Sequence, residues 1–217
     1  MELSGKRIAF LGDSITEGVG TSDLRYVYWQ RLGEWTGAQV FGCGISGTRI
    51  APQRTPSENP RFDLYFASRV EEMEPELDVI VIFGGTNDFG HGDAPFGAPE
   101  DRDGTTFCGA AHRLFRTLME RYPAAQLVLM TPLHRQDELE PLNNWGRPHK
   151  ASLEQYVDAL RQIAAEYAAP VLDLYRVSGI QPQLPSNRDR FAPDGLHPND
   201  EGNARIAERL LGFLRAL

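Results

Sequence analysis

Five short apolar runs recur along the chain, and apolar residues between them repeat at three- and four-residue intervals. The runs lie at residues 7–12, 39–41, 77–83, 126–130 and 171–174. Short apolar runs are typical of buried strands, whereas three- and four-residue intervals indicate amphipathic helices. The continuous run at residues 79–83 fits a central parallel strand that is buried on both faces. Because strands and helices alternate, the pattern predicts an α/β fold with a five-stranded parallel sheet covered on both faces.

Five segments show helical spacing. They lie around residues 26–37, 62–73, 114–122 and 153–167, and from about residue 199 onwards. The predicted buried stripe of the last helix consists of Ile206, Leu210, Phe213, Leu214 and Leu217. Two long polar stretches, residues 89–105 and 133–149, are predicted loops. Loops of this length in a compact domain are commonly functional, so each is a candidate lid or subunit contact.

Composition narrows the class of protein. The 217 residues, 41% hydrophobic and 24% charged, predict a single globular domain over residues 1–217. The net charge of −8 argues against a nucleic-acid partner or an anionic membrane surface. No apolar run approaches the roughly 20 residues of a membrane span, and a strand begins too early to leave room for a signal peptide. Two cysteines, Cys43 and Cys108, lack metal-ligand spacing, and we expect a reduced, cytoplasmic setting.

A serine follows the first predicted strand, in the sequence Gly12-Asp13-Ser14. Glycine tolerates tight backbone geometry and a strand end holds a side chain in place, so Ser14 is a candidate nucleophile. A serine hydroxyl needs a base, and the base needs an orienting group. His197 and Asp194, near the other end of the chain, supply both residue types.

Two simpler interpretations of Ser14 remain open at this point. Ser14 and Glu17 also fit a capping box, in which the serine caps a helix and the glutamate reaches back to it. Glycines follow closely, as they do in phosphate-binding loops. The lysine of such a loop is missing, however, because no lysine lies between Lys6 and Lys150.

Glycine-rich turns also follow the second and third predicted strands. Three glycines within residues 42–47 indicate a tight loop where backbone amides can approach a ligand. Gly44 in this loop and Asn87 after the third strand are candidate oxyanion donors. The carboxyl ends of parallel strands lie on one rim of a sheet. Ser14, Gly44 and Asn87 can therefore meet although they are far apart in sequence.

These motifs resemble those of the SGNH hydrolases, the GDSL esterase/lipase superfamily. Residues 12–14 (Gly-Asp-Ser) match the first block of that family, and residues 85–88 (Gly-Thr-Asn-Asp) match the third. Residues 194–198 (Asp-Gly-Leu-His-Pro) match the last block. Gly44 takes the glycine position of the second block, where residues 42 and 47 offer other registers. The motifs follow the family order and cover nearly the whole chain.

The resemblance implies a flavodoxin-like three-layer α/β/α sandwich with strand order 2-1-3-4-5. It also implies ester hydrolysis without metal or other cofactor. Ser14 would attack the ester carbonyl, His197 would act as base, and Asp194 would orient the imidazole. The oxyanion hole would consist of the amides of Ser14 and Gly44 and the side chain of Asn87.

The substrate is less determined than the chemistry. A small-molecule ester with a short acyl chain is expected, and an O-acetylated carbohydrate is one candidate. The candidate sugar-stacking aromatic residues are Phe89, Phe96, Trp145 and Tyr175. A lysophospholipase or thioesterase of the same family is an alternative. The sequence does not predict an oligomeric state.

Two alternatives come from other classes of protein. One is a metal-dependent phosphoesterase that uses Asp13, Asp88, Asp194 and His197, although the clustered ligand pairs of a two-metal site are missing. The other is a binding module that kept the fold without turnover.

Overall fold

A computed structural model describes residues 1–217 and contains one five-stranded, all-parallel sheet in the order β2-β1-β3-β4-β5. The strands are β1 Arg7–Gly12, β2 Gln39–Gly44, β3 Val79–Phe83, β4 Gln126–Met130 and β5 Val171–Leu172. The helices are α1 Ser14–Glu17, α2 Tyr28–Thr36, α3 Thr86–His91, α4 Phe107–Arg121, α5 Leu153–Glu166, α6 Leu174–Val177, α7 Pro185–Phe191 and α8 Asp200–Ala216. The predicted fold class and strand order are both confirmed.

Alternate residues of each strand face opposite layers of the core, as the pleat requires. In β1, Ile8 and Phe10 belong to one buried cluster, whereas Ala9 and Leu11 belong to the other. Helices α2 and α8 cover the first face, and α4 and α5 cover the second. The buried residues of α8 include Ile206, Leu210 and Leu214, as predicted. Of the other two predicted residues, Phe213 is half-buried, and Leu217 is exposed because it lies beyond the last turn of the helix.

The helix predicted from residue 62 to residue 73 is wrong. This segment forms two 3₁₀ turns, Pro60–Asp63 and Phe66–Glu72, joined by extended residues. In a 3₁₀ turn residues three apart share a face, and here that face turns both Phe66 and Arg69 inward. Arg69 donates to the carbonyl oxygens of Gly12 and Cys43, at 3.0 Å and 2.8 Å. The buried guanidinium thereby satisfies backbone oxygens at the ends of β1 and β2.

The boundaries of two predicted strands also differ. β2 continues to Gly44, while β5 ends at Leu172. The side chain of Asp173 accepts a hydrogen bond from the backbone amide of Arg176 and so begins α6 in place of further strand. None of the helices combines the length and the apolar character that crossing a bilayer requires.

Candidate active site

Ser14 is the first residue of α1, directly after the turn that leaves β1. This turn needs a glycine, because a Cβ on Gly12 would lie 2.0 Å from the hydroxyl oxygen of Thr16. Asp13 is the helix cap, since its carboxylate accepts from the amide of Ile15 at 3.1 Å. The capping-box interpretation of Ser14 and Glu17 is therefore wrong. Ser14 is left without a capping role.

The structure brings His197 and Asp194 to Ser14 from the loop before α8. Ser14 Oγ lies 3.0 Å from His197 Nε2. On the other side of the ring, His197 Nδ1 lies 2.6 Å from Asp194 Oδ2. Because Asp194 is an acceptor, Nδ1 donates to it and Nε2 is left to accept from the serine hydroxyl.

Asp194 also shapes the loop that carries it. Its Oδ1 accepts from the backbone amides of Leu196 and His197, at 2.9 Å and 2.7 Å. Partial burial opposes ionisation of Asp194, but the hydrogen bond from the His197 ring and the two amides together lower its pKa. Asp194 therefore stays ionised at neutral pH, so the same carboxylate orients the ring and the backbone.

A buried asparagine fixes the other side of this loop. Asn203 of α8 donates to the carbonyl oxygen of Pro198 at 2.7 Å and accepts from the amide of Tyr28 at 3.1 Å. Asn203 thus joins α2, α8 and the residue next to His197. This role of Asn203 was not predicted, because a lone asparagine within a helix has no sequence pattern that indicates its distant contacts.

Asn87 lies in the first turn of α3, beyond the end of β3. Its Nδ2 donates to the carbonyl oxygen of Thr48 at 2.9 Å. This bond orients the amide and uses one of its two N–H groups. The neighbouring Asp88 accepts from the amides of Ile50 and Ala51, both at 2.9 Å. Burial raises the pKa of Asp88 to about 6. Asn87 and Asp88 therefore hold residues 48–51 against α3.

Gly44 is a predicted site residue that neither lines the cleft nor belongs to the hydrogen-bonded chain from Ser14 through His197 to Asp194. A Cβ on Gly44 would lie 2.2 Å from the backbone nitrogen of Glu17, so the residue is covered by α1. In a parallel ladder alternate residues of a strand donate to the same neighbour. Gln39 and Ile45 donate to β1, so the amide of Gly44 faces away from it.

Gly47 lies where Gly44 was expected. It has a φ of +74°, a conformation that favours glycine, and it lines the cleft with Ser14, Asn87 and His197. The preceding residue, Ser46, donates both its amide, at 2.7 Å, and its hydroxyl to Glu17. Glu17 of α1 therefore holds the turn of Gly47 beside Ser14. The three glycines within residues 42–47 indicated this loop in the sequence. They did not indicate which glycine lines the cleft.

The cleft around Ser14 has a volume of about 330 Å³. Its two hydrophobic lining residues are Val19 and Leu196. Arg135 forms another wall and is itself buried, donating to the carbonyl oxygen of Thr86 at 3.1 Å. The sequence analysis did not single out Arg135, which lies in the predicted loop at residues 133–149.

The four residues of the phosphoesterase alternative do not form a ligand group. No three His, Cys, Asp or Glu side chains come close enough together to hold a metal ion. Asp88 is engaged with backbone amides and Asp194 with His197. The ligand set that this alternative requires is therefore not assembled.

The sequence of this chain is similar to a known protein family and to a curated protein. The model of the GDSL-like lipase/acylhydrolase family matches residues 10–205. The acetylxylan esterase of Xylanibacter ruminicola is 24% identical in an alignment of 227 residues. The alignment covers 96% of this chain and 43% of that protein. The chain thus spans less than half the length of this curated relative.

Solved structures show the same architecture. A protein from Lactobacillus plantarum is 31% identical with a TM-score of 0.82, over 99% of this chain and 98% of that one. The crystal structure of an acetyl xylan esterase has a TM-score of 0.63 at 23% identity, over 96% of this chain and 99% of that one. At this level of identity the second likeness is one of fold.

Proposed function

The chain belongs to the GDSL-like lipase/acylhydrolase family, and from this premise we propose that it is a serine esterase for short-chain acyl esters. O-acetyl groups on carbohydrates are the substrates that we favour, because a sequence relative and a structural relative are both acetylxylan esterases. The observation that carries the proposal is the continuous hydrogen-bonded chain from Ser14 Oγ through the His197 ring to Asp194.

In the proposed mechanism, Ser14 Oγ attacks the ester carbonyl while its proton moves to His197 Nε2. The Asp194 carboxylate stabilises the imidazolium that forms. His197 then protonates the departing alkoxide, which leaves the acyl group on Ser14. A water molecule, deprotonated by His197, attacks this acyl-enzyme and releases the carboxylic acid. Collapse returns the proton to Ser14.

Negative charge develops on the carbonyl oxygen during both steps, and donors aimed at it lower the barrier. We assign this role to the amide of Ser14, the second N–H of Asn87 Nδ2 and the amide of Gly47 in place of Gly44. The first amides of a helix have no intrahelical partner, which supports the assignment of Ser14. The position of Gly47 in the cleft supports the third donor.

The size of the cleft supports a short acyl group. A volume of about 330 Å³ with Val19 and Leu196 as its apolar lining offers little surface to a long hydrocarbon chain. Since each buried methylene contributes about 0.8 kcal/mol, an enzyme for long acyl chains would need a longer apolar channel. This argues against the lysophospholipase alternative.

The proposal is tested with p-nitrophenyl esters from acetyl to octanoyl. We expect kcat/KM to be highest from acetyl to butyryl, and Ser14→Ala to lower it by several orders of magnitude. Ser68→Ala is the matched control, because the Ser68 hydroxyl is exposed and donates to the carbonyl oxygen of Tyr65. A folded Ser14→Ala protein with full activity would contradict the mechanism. Rising activity out to octanoyl would contradict the short-chain assignment.

A phosphonate ester tests the geometry independently. We expect a single covalent adduct on Ser14, detected by mass spectrometry of peptides. In a crystal structure of the adduct, the phosphonyl oxygen should accept from the amides of Ser14 and Gly47 and from Asn87. An adduct whose oxygen contacts Gly44 instead would overturn the assignment of Gly47.

A further inference from the structure

A second, larger cavity adjoins the cleft of Ser14 and shares Gly47 and His91 with it. Its volume of about 620 Å³ lies within the usual range of ligand pockets, roughly 300–1,000 Å³. Its other lining residues include Arg49, Thr55, Asn59, Phe62, Trp145 and Arg147. We call this cavity the alcohol subsite, because it adjoins the Ser14 cleft, to which the acyl group is assigned.

Trp145 provides an aromatic surface at this subsite. Its side chain is 48% exposed, and its ring centroid lies 5.4 Å from that of His91. Asn143 holds the loop by accepting from the amides of Trp145 and Arg147, both at 3.0 Å. The guanidinium of Arg147 lies over the ring, 6.0 Å from its centroid. Trp145 is therefore a half-exposed ring on an anchored loop.

The other aromatic residues considered from the sequence are engaged elsewhere. Phe89 stacks on the ring of His149 at a centroid distance of 4.0 Å. Phe96 stacks on Phe107, and Tyr175 packs against His134. Only Trp145 of the four lines this cavity.

His91 presents a hydrogen-bond donor whose position is determined by its neighbour. Arg49 Nη1 lies 2.9 Å from His91 Nδ1. A guanidinium only donates, so Nδ1 accepts and the imidazole proton lies on Nε2. Nε2 makes no hydrogen bond within the protein. Burial lowers the pKa of His91 to about 4, so this neutral tautomer persists at neutral pH.

Arg49 lines the wall and holds His91 in place. Its side chain is 3% exposed and donates to the carbonyl oxygen of Phe62 at 2.8 Å. Its Nε is buried and has no hydrogen-bond partner. The subsite thus combines a half-exposed aromatic ring with the Nε2 donor of His91, which lacks a protein acceptor.

We propose that the alcohol subsite binds the pyranose ring of an O-acetylated sugar, stacked on Trp145, with hydroxyl oxygens accepting from His91 Nε2. This inference rests on the proposed esterase function and specifies the alcohol part of its substrate. A pyranose has an apolar face of C–H groups and a rim of hydroxyls, which match an aromatic ring and fixed donors. A hydrocarbon alcohol would leave the Nε2 donor of His91 unpaired.

The test compares two acetate esters that both carry hydroxyls, of which one contains a ring. They are a methyl O-acetyl-β-xylopyranoside and glycerol monoacetate. The quantity measured is the ratio of their kcat/KM values, which cancels damage to the shared chemical step. We expect the ratio to fall about tenfold in Trp145→Ala, because the stacking surface is lost, and to recover in Trp145→Phe.

Trp35→Ala is the matched control, because Trp35 is also exposed, at 40%, and lies on α2 away from the cleft. It should leave the ratio unchanged. If Trp145→Ala lowers both kcat/KM values equally, or leaves the ratio at the wild-type value, the ring does not stack on Trp145 and the inference is overturned.

Binding to the Ser14→Ala protein separates the two proposals. Calorimetry with the acetylated xylopyranoside should show an affinity that decreases about tenfold when Trp145→Ala is added. Binding with no hydrolysis by the wild-type protein would support the subsite and contradict the proposed function. Hydrolysis of glycerol monoacetate without any Trp145-dependent sugar binding would contradict the subsite and leave the function standing.

Discussion

The two sides of the catalytic cleft are positioned in different ways. The side that carries Ser14 directly follows β1, which pairs with both β2 and β3, and Ser14 is 6% exposed. The side that carries the base is a surface loop, in which the side chains of His197 and Asp194 are 18% and 53% exposed. The proposed nucleophile is thus held by the sheet, and the proposed base is held mainly by hydrogen bonds.

The difference shows where each side is vulnerable. The position of Ser14 is fixed jointly by strand pairing, by the cap of Asp13 and by the contacts of α1. Around His197 a single carboxylate, Asp194, binds the ring and two amides of its own loop. Apart from Ser14 and His197 themselves, loss of one supporting residue should therefore have the largest effect on the His197 side. Changes to the residues that support Ser14 should have graded effects.

Asp194→Asn should have the largest effect, a loss of about 10⁴ in kcat. An asparagine that donates to Nδ1 would place the imidazole proton on Nε2, where it cannot accept from Ser14. The measurement is kcat and KM with acetate esters, and circular dichroism checks the fold. Asp189→Asn, an exposed aspartate of α7, is the control. Activity near that of the wild type would show that another group orients His197.

Asn87→Ala should have the next largest effect, lowering kcat by about 10²–10³ with little change in KM. The side-chain donor acts on charge that is present mainly in the transition state. Asn87 carries no proton in the reaction, so the shape of the pH profile should not change. An increase in KM alone would make Asn87 a contact of the bound substrate instead.

Glu17→Gln should have a smaller effect, a loss of about tenfold in kcat, because Gly47 would lose the anchor of its turn without leaving the cleft. Glu17 accepts from both polar groups of Ser46 and also from Arg61. Glu34→Gln on α2 is the control, since Glu34 is exposed. If kcat is unchanged while the protein stays folded, β2 and α1 hold the Gly47 turn without this carboxylate.

His91→Phe should have the smallest effect, which appears in the pH dependence of stability. Burial, with the charges of Arg49 and Arg135, lowers the pKa of folded His91 to about 4, whereas an unfolded histidine titrates near 6.5. As the pH falls through this window the unfolded state binds the proton first, so the free energy of unfolding decreases. Urea denaturation at pH 7 and pH 5 should therefore show a greater loss for the wild type than for His91→Phe. Equal losses would contradict the neutral state assigned to His91.

Much of the fold was readable from the sequence because strands and helices leave local periodicities. The run at residues 79–83 predicted a central buried strand, and β3 Val79–Phe83 is that strand. The spacing from Leu153 onwards predicted α5. The order of the motifs also predicted which residues meet, because strand ends of a parallel sheet share a rim. Ser14 and Asn87 line one cleft, and the loop before α8 brings His197 and Asp194 to Ser14.

The tertiary structure decided those features for which the local sequence pattern fits more than one conformation or more than one residue. Three glycines compete within residues 42–47, and only the cover of α1 over Gly44 and the left-handed turn at Gly47 distinguish them. The apolar spacing from residue 62 to residue 73 fits a helix, yet the segment forms 3₁₀ turns. In this conformation the buried Arg69 donates to carbonyl oxygens at the ends of β1 and β2. The alcohol subsite combines loops distant in sequence, so its contacts depend on the folded chain. Sequence periodicity therefore predicted the sheet, and the motifs predicted which side chains meet at its rim. Long-range contacts determined which glycine and which surface lie beside them.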